Sequence, residues 1–177
     1  MTGSLSALEG SHEIATSDEM HDFGVRVGGM LRAGDLLVLT GPLGAGKTTF
    51  TRGIGEGLRV RGPVQSPTFV IARTHPSLAG GPPLVHVDAY RLGSGLELDD
   101  LDIDAERSVV VVEWGRGLAE SMAEHWWDIE IERPTGARGG VSDGGDGPED
   151  ASEERDEPRR LTIRRGPAPG RLGSLEP

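Results

Sequence analysis

The residues best suited to chemistry form a glycine-rich run that closes on a lysine and a hydroxyl. Gly41-Pro42-Leu43-Gly44-Ala45-Gly46-Lys47-Thr48 fits the pattern G-x-x-x-x-G-K-[ST]. In that pattern the glycines let the backbone wrap closely with its N–H groups turned inward. Those donors and the N-terminus of the following helix bind phosphate oxygens. The lysine places a compact charge on the β- and γ-phosphates, and the hydroxyl after it holds Mg²⁺. Gly41, Leu43, Gly44, Ala45, Gly46, Lys47, Thr48 and Thr49 are the expected phosphate-binding residues. The competing reading is a Gly-rich turn in a Gly-rich chain. Composition weighs against it, because the chain has one lysine against 17 arginines and that lysine fills the slot the motif requires. Where Arg has replaced Lys almost throughout, the exception marks a position that a planar guanidinium does not suit.

A phosphate loop of this kind needs a carboxylate at the end of a neighbouring strand to hold Mg²⁺, directly or through water. Two apolar runs end in one: Leu84-Val-His86-Val-Asp88 and Val109-Val-Val-Val-Glu113. In an extended chain His86, Asp88 and Tyr90 share one face. Asp88 also suits a simpler role, capping a turn. Four valines running straight into an acid beside Trp114 argue that Glu113 is more than a surface charge. His86 by itself reads as a packed, hydrogen-bonded histidine. Trp114, Trp126 and Trp127 read as core residues, with Trp114 placed to stack near a nucleotide. Ser66-Pro67-Thr68-Phe69 lies between the loop helix and the next strand, where the Thr68 hydroxyl can sense a γ-phosphate or water; residue physics alone favours a Pro-fixed turn.

These side chains need a frame. Thr16-Ser17-Asp18-Glu19 offers N-cap chemistry, and Met20, Phe23, Val27, Met30 and Leu31 follow at helical spacing, with Gly34 as the stop. Asp35–Thr40 is a short buried strand, and Lys47–Gly57 a helix whose three glycines require packing to hold it. Strands are expected at Val70–Arg73, Leu84–Asp88, Ser108–Val112 and Asp128–Arg133, with weak helix periodicity over Gly93–Ala105 and a short helix over Leu118–Glu124. Residues 135–158 have scarcely an apolar side chain to offset ordering entropy and are expected to be disordered. Arg160–Arg165 then returns as a final strand, 159–165, of the same domain. The division is a domain over 1–134, an acidic insertion, that strand, and a flexible tail over 166–177.

Charge and composition narrow the function classes. The net charge is −11, of which residues 142–157 supply −7, so broad capture of nucleic-acid backbones is not expected. With no cysteine, thiolate metal sites and thiol nucleophiles are excluded. No apolar run reaches the ~18–20 residues of a membrane span. The N-terminus lacks the basic and apolar regions of a secretory signal. The expectation is a soluble, cytoplasmic protein with no membrane partner.

Taken in order, GPLGAGKTTFTRGIGEGL, SPTF, HVDAYRL and VEWG resemble the TsaE (YjeE) family of small P-loop ATPases in tRNA threonylcarbamoyladenosine synthesis. The resemblance runs from about Thr16 to Arg133. It implies an α/β P-loop NTPase fold, a single three-layer domain with a mixed, mainly parallel β-sheet flanked by helices. It implies binding of ATP and Mg²⁺, weak ATPase activity alone, and action with TsaD and TsaB on a tRNA adenosine next to the anticodon, tRNA being met through that complex. It also implies roles: Thr48 and Glu113 as Mg²⁺ ligands, Lys47 as the phosphate lysine, Asp88 as a functional acid, Thr68 in a switch-like segment, and Thr16, Ser17 and Glu19 beside the adenine. Pro42 and Gly115 depart from the family's usual Asp and Pro, and the insertion and tail have no counterpart. The alternative is a P-loop small-molecule or nucleotide kinase, against which stands the absence of Arg from the acidic stretch 93–105 where a lid would lie. A GTPase is disfavoured because the chain has no Asn and no second Lys for guanine recognition. A nucleotide-dependent binding switch is a third class and partly merges with the TsaE reading.

Overall fold

The computed structural model describes residues 4–65, 71–92, 101–117, 122–123, 125–133 and 157–166. Their strands are β1 (Gly10–Ile14), β2 (Leu36–Thr40), β3 (Ala72–His75), β4 (Leu84–Asp88), β5 (Val109–Glu113), β6 (Trp127–Glu132) and β7 (Arg159–Arg165). Two helices join them, α1 (Ser17–Gly28) and α2 (Lys47–Gly57). The strands form one sheet in the order β1-β7-β6-β2-β5-β4-β3. β6, β2, β5 and β4 run parallel at its centre, and β3, β7 and β1 are added antiparallel to their neighbours. This is the expected mixed α/β sheet. The central register sets Leu39 and Asp88 both opposite Glu113, so β2, β4 and β5 end together at one edge.

Burial follows from the sequence. Val109–Val112 are all fully buried because both sheet faces are covered at β5. β6 instead alternates: Trp127, Ile129 and Ile131 face the helices, and Asp128 and Glu130 meet Arg116 on the other side. One core lies between the sheet and α1 and α2, where Phe50 and Ile54 are fully enclosed. A second covers the opposite face with Leu36, Val38, Val85, Val87, Val110 and Val112, against which Leu101, Ile103 and Met122 pack.

α1 and α2 touch backbone to backbone. A Cβ added at Gly24 would overlap Phe50 O, one at Gly28 would overlap Ile54 O, and one at Gly53 would overlap His21 O. Three glycines in a helix would ordinarily weaken it. Here Gly53 and Gly57 provide the close approach that holds α2 against α1.

Several elements differ from the sequence reading. α1 ends at Gly28, capped by Gly29 N–H on Val25 O, rather than running to Gly34. Met30 and Leu31 form a turn after it, and Gly34, at φ 93°, redirects the chain into β2. β3 lies two residues later than expected. β1 and the 3₁₀ turn Leu5–Leu8 are not foreshadowed by any residue pattern. Residues 101–105 are non-helical; the rest of the expected helix over 93–105, and most of that over 118–124, lies outside the described residues. The insertion lies outside them too, except Glu157 and Pro158, which are placed where Glu157 pairs with Arg133 at 3.5 Å and Arg159 at 3.6 Å.

Candidate functional site

The strand-end edge opens into a cavity of about 300 Å³. Thr16, Ser17 and Met20 from the first turn of α1 form one wall, and Leu43–Thr49 form the floor. Asp88 and Glu113 close the far side with Trp114, and Glu157 and Arg159 complete the rim.

Each wall has a local cause. β2 delivers the chain into the loop, and Gly46, at φ 104°, takes the left-handed conformation that turns it into α2. That puts the first N–H groups of α2 at the cavity floor, where an anion is favoured. α1 is aimed by its cap. Thr16 Oγ1 accepts from Glu19 N–H at 3.1 Å, and the Glu19 carboxylate accepts from Ala15 N–H at 2.7 Å. Glu19 is thus engaged in capping, and it stands behind Thr16 and Ser17 rather than among the residues that line the cavity. Gly41 also lies behind the lining; its carbonyl accepts from Lys47 Nζ at 2.9 Å. Thr68 lies outside the described residues.

Lys47 is buried and its ammonium donates to the Gly41 and Pro42 carbonyls, the latter at 3.0 Å. It also lies 4.3 Å from the centre of the Trp114 ring. Burial pushes its pKa below the ordinary lysine value, and the charges of Glu113 and Asp88 pull it back. Trp114 holds φ 61°, uncommon for a bulky side chain, at the turn that follows β5. Tyr90 packs edge-on against it with ring centres 5.6 Å apart.

His86, Asp88 and Tyr90 do not form the cluster that an extended chain suggests. β4 ends at Asp88, and Ala89–Arg91 turn in a 3₁₀ helix that leaves Tyr90 74 % exposed. Asp88 Oδ1 accepts Tyr90 N–H at 3.1 Å, so Asp88 both caps that turn and faces the cavity. His86 is fully buried and bonds Glu113.

Among the described residues no group of three His, Cys, Asp or Glu could hold a metal by itself. A hydroxyl and two carboxylates around a phosphate-binding floor instead suit Mg²⁺, which takes one or two carboxylates and completes its shell with phosphate oxygens and water. Residue-by-residue reading passed over Met20, Glu157 and Arg159. For Arg159 a signal existed only in the pairing, since Ile14↔Arg159 sets the start of β7 beside the end of β1.

A phosphate loop between a buried strand and a helix, at the end of the parallel centre of the sheet with carboxylates beside it, defines a P-loop nucleotide-binding α/β protein. Residues 14–139 match the family model described as Threonylcarbamoyl adenosine biosynthesis protein TsaE. The chain belongs to the TsaE family. A protein called tRNA threonylcarbamoyladenosine biosynthesis protein TsaE from Streptomyces coelicolor is 61 % identical over 120 residues, covering 66 % of this chain and 81 % of the relative. Its Mycobacterium tuberculosis H37Rv namesake is 51 % identical over 119 residues, covering 62 % and 71 %. The crystal structure of Bacillus subtilis YdiB is similar with a TM-score of 0.59 and 28 % identity, covering 86 % of this chain and 82 % of that one. Among the described residues no helix is long and apolar enough to cross a membrane.

Proposed function

We propose that this chain is the ATP-binding and slowly ATP-hydrolysing subunit required for threonylcarbamoyl modification of the tRNA adenosine next to the anticodon, acting with TsaD and TsaB. The observation that carries the reading is membership of the TsaE family in a chain whose loop, hydroxyl and strand-end acids all line one cavity. Residues 1–134 and 159–165 act as one domain in the cytoplasm.

In this reading Gly41, the Leu43–Thr49 backbone and Lys47 hold the β- and γ-phosphates, while Thr16, Ser17 and Glu19 form the turn beside the adenine. Thr48 and Glu113 hold Mg²⁺, which neutralises charge on the transferred phosphoryl group when bound. Asp88 acts on turnover, and Thr68 belongs to the γ-phosphate-sensing segment. Lys47 leaves its two loop carbonyls when phosphate enters, since a phosphate oxygen is the stronger partner for an ammonium. Weak activity alone is what family membership implies, with the element that stabilises γ-phosphate charge coming from the partner pair. Supply of such an element in trans is worth ~10³–10⁵ in rate.

The test is ATP hydrolysis with and without a TsaD–TsaB pair, together with tRNA modification in a reconstituted mixture. The expected result is slow hydrolysis alone, stimulation by the pair, and multiple-turnover modification that depends on this chain. Rapid phosphorylation of a small metabolite by the isolated protein would favour a kinase instead. Equal modification without this chain would refute the proposal.

A further inference from the structure

His86 occupies a position where packing alone calls for an apolar residue. It lies on β4 between Val85 and Val87, opposite Val111 of β5, and is fully buried. Its Nε2 lies 2.8 Å from Glu113 Oε1, and its Nδ1 is buried with no partner among the described residues. Those two facts fix the proton. With hydrogen on Nε2, the ring donates to the carboxylate and leaves only a lone pair unmet. Hydrogen on Nδ1 would strand a buried donor and set a lone pair against a carboxylate oxygen.

Glu113 needs such a partner. It ends β5 with its side chain directed to the cavity, only 5 % exposed, and the next residue leaves the strand in a left-handed conformation. A carboxylate on a strand end has rotamers to choose from, and a bond to one oxygen selects among them without occupying the other. Residues that orient metal ligands in this way act through donor hydrogen bonds to the ligating group.

We propose that His86 is a positioning residue: its Nε2–H holds the Glu113 carboxylate in the orientation that receives Mg²⁺ beside the bound nucleotide. The inference rests on the reading of Glu113 as the Mg²⁺ ligand.

The test compares His86→Gln, His86→Asn, His86→Leu and Glu113→Gln for binding of ADP, which is not turned over. Calorimetry in EDTA gives ADP affinity without metal, and Mg²⁺ titration at saturating ADP gives metal affinity. Gln places an amide N–H about where imidazole Nε2–H lies, whereas Asn falls short and Leu has no donor. His86→Leu and His86→Asn are expected to lower Mg²⁺ affinity ~10–100-fold, the range found when a ligand-orienting residue is lost. ADP affinity in EDTA should not change, and His86→Gln should retain metal affinity. If His86→Leu does not fold, the Gln and Asn variants carry the comparison. Equal Mg²⁺ affinity in the Gln and Asn variants, or a parallel fall of ADP affinity in EDTA, would overturn the proposal. Undiminished Mg²⁺ affinity in Glu113→Gln would overturn the assignment of the acid, and the role of His86 with it.

Discussion

Replacing Gly53 by alanine tests what sets the width of the nucleotide cavity. Helix propensity alone says the change should stabilise α2 by ~1 kcal/mol. Geometry opposes it. The new Cβ would overlap His21 O and lie 2.9 Å from both Gly24 Cα and Val25 N, all of them backbone atoms that cannot rotate away. Carbon pairs settle near ~3.5–4.0 Å, so the helices must part by roughly 1 Å. A gap of that size forfeits a quarter to a half of each contact along the interface. Overpacking of this kind costs ~1–3 kcal/mol, at times more, and a backbone-to-backbone contact lies at the upper end. After the propensity gain, a net loss of ~2 kcal/mol is expected, or ~4–8 °C in Tm for a domain of this size. The first turns of α1 and α2 face each other across the cavity, so ADP affinity should fall as well. Gly29→Ala is the control. It sits at φ −66° with its nearest outside atom, Val25 O, 3.6 Å from the added carbon. It should be neutral or stabilise by ~0.4–1 kcal/mol. Urea unfolding of both variants with unchanged m-values, and calorimetric ADP titration, make the measurement. A Gly53→Ala protein as stable as the parent, or a Gly29→Ala protein equally weakened, would refute the reasoning.

Lys47→Ala should abolish ADP binding and ATP hydrolysis while the circular dichroism spectrum stays native, with a stability loss of ~1–3 kcal/mol for the buried Gly41 carbonyl and less for the part-buried Pro42 carbonyl, which water can reach. Glu113→Ala should weaken the Mg²⁺ dependence of nucleotide binding more than Asp88→Ala, whose effect should fall on turnover; titrations in the reverse order would exchange the two acids. His75 is held below its ordinary pKa of 6.5 chiefly by burial, with the Arg73 charge acting in the same direction. Below pH 6.5 the unfolded chain therefore takes up a proton that the folded one refuses, and stability falls with pH down to the depressed native value. His75→Gln should remove that part of the slope, read as urea midpoints at pH 7.5 and 5.5. Deleting residues 136–156, which leaves Glu157 in place, should barely change thermal stability, and a large drop would show that the segment docks on the domain.

The phosphate loop, α2 and the central strands were legible because local residue patterns specify them: Leu36–Thr40 and Val109–Glu113 are apolar over their length, and Lys47 is unique. β1 was not, because Gly10–Ile14 carries one buried residue, Ile14, and exists as a strand by pairing with β7. The end of α1 lies earlier than the spacing suggests because Met30 and Leu31 continue the apolar period, while their N–H groups bond three residues back, to Val27 O and Gly28 O, and tighten the chain into a turn. The same limit holds within the site: Arg159 reaches the cavity rim through the pairing of β7 with β1, which no local spacing announces.

β1 sits at the sheet's edge and its single neighbour is β7. Ser11 Oγ meets Thr162 Oγ1 at 3.0 Å across 151 positions of chain. A ribosome adding ~5–20 residues per second therefore needs roughly 8–30 s to deliver the partner of a strand it made almost at once. Thr16 and Ser17 follow β1 directly, and Arg159 opens β7. The nascent chain can form its phosphate loop and seat α1 on α2 early, but β1 gains its partner, and the cavity its Arg159 rim, only when β7 arrives. A chain released before β7 would carry the loop and the α1–α2 pair, with β1 unpaired and the Arg159 side of the rim missing.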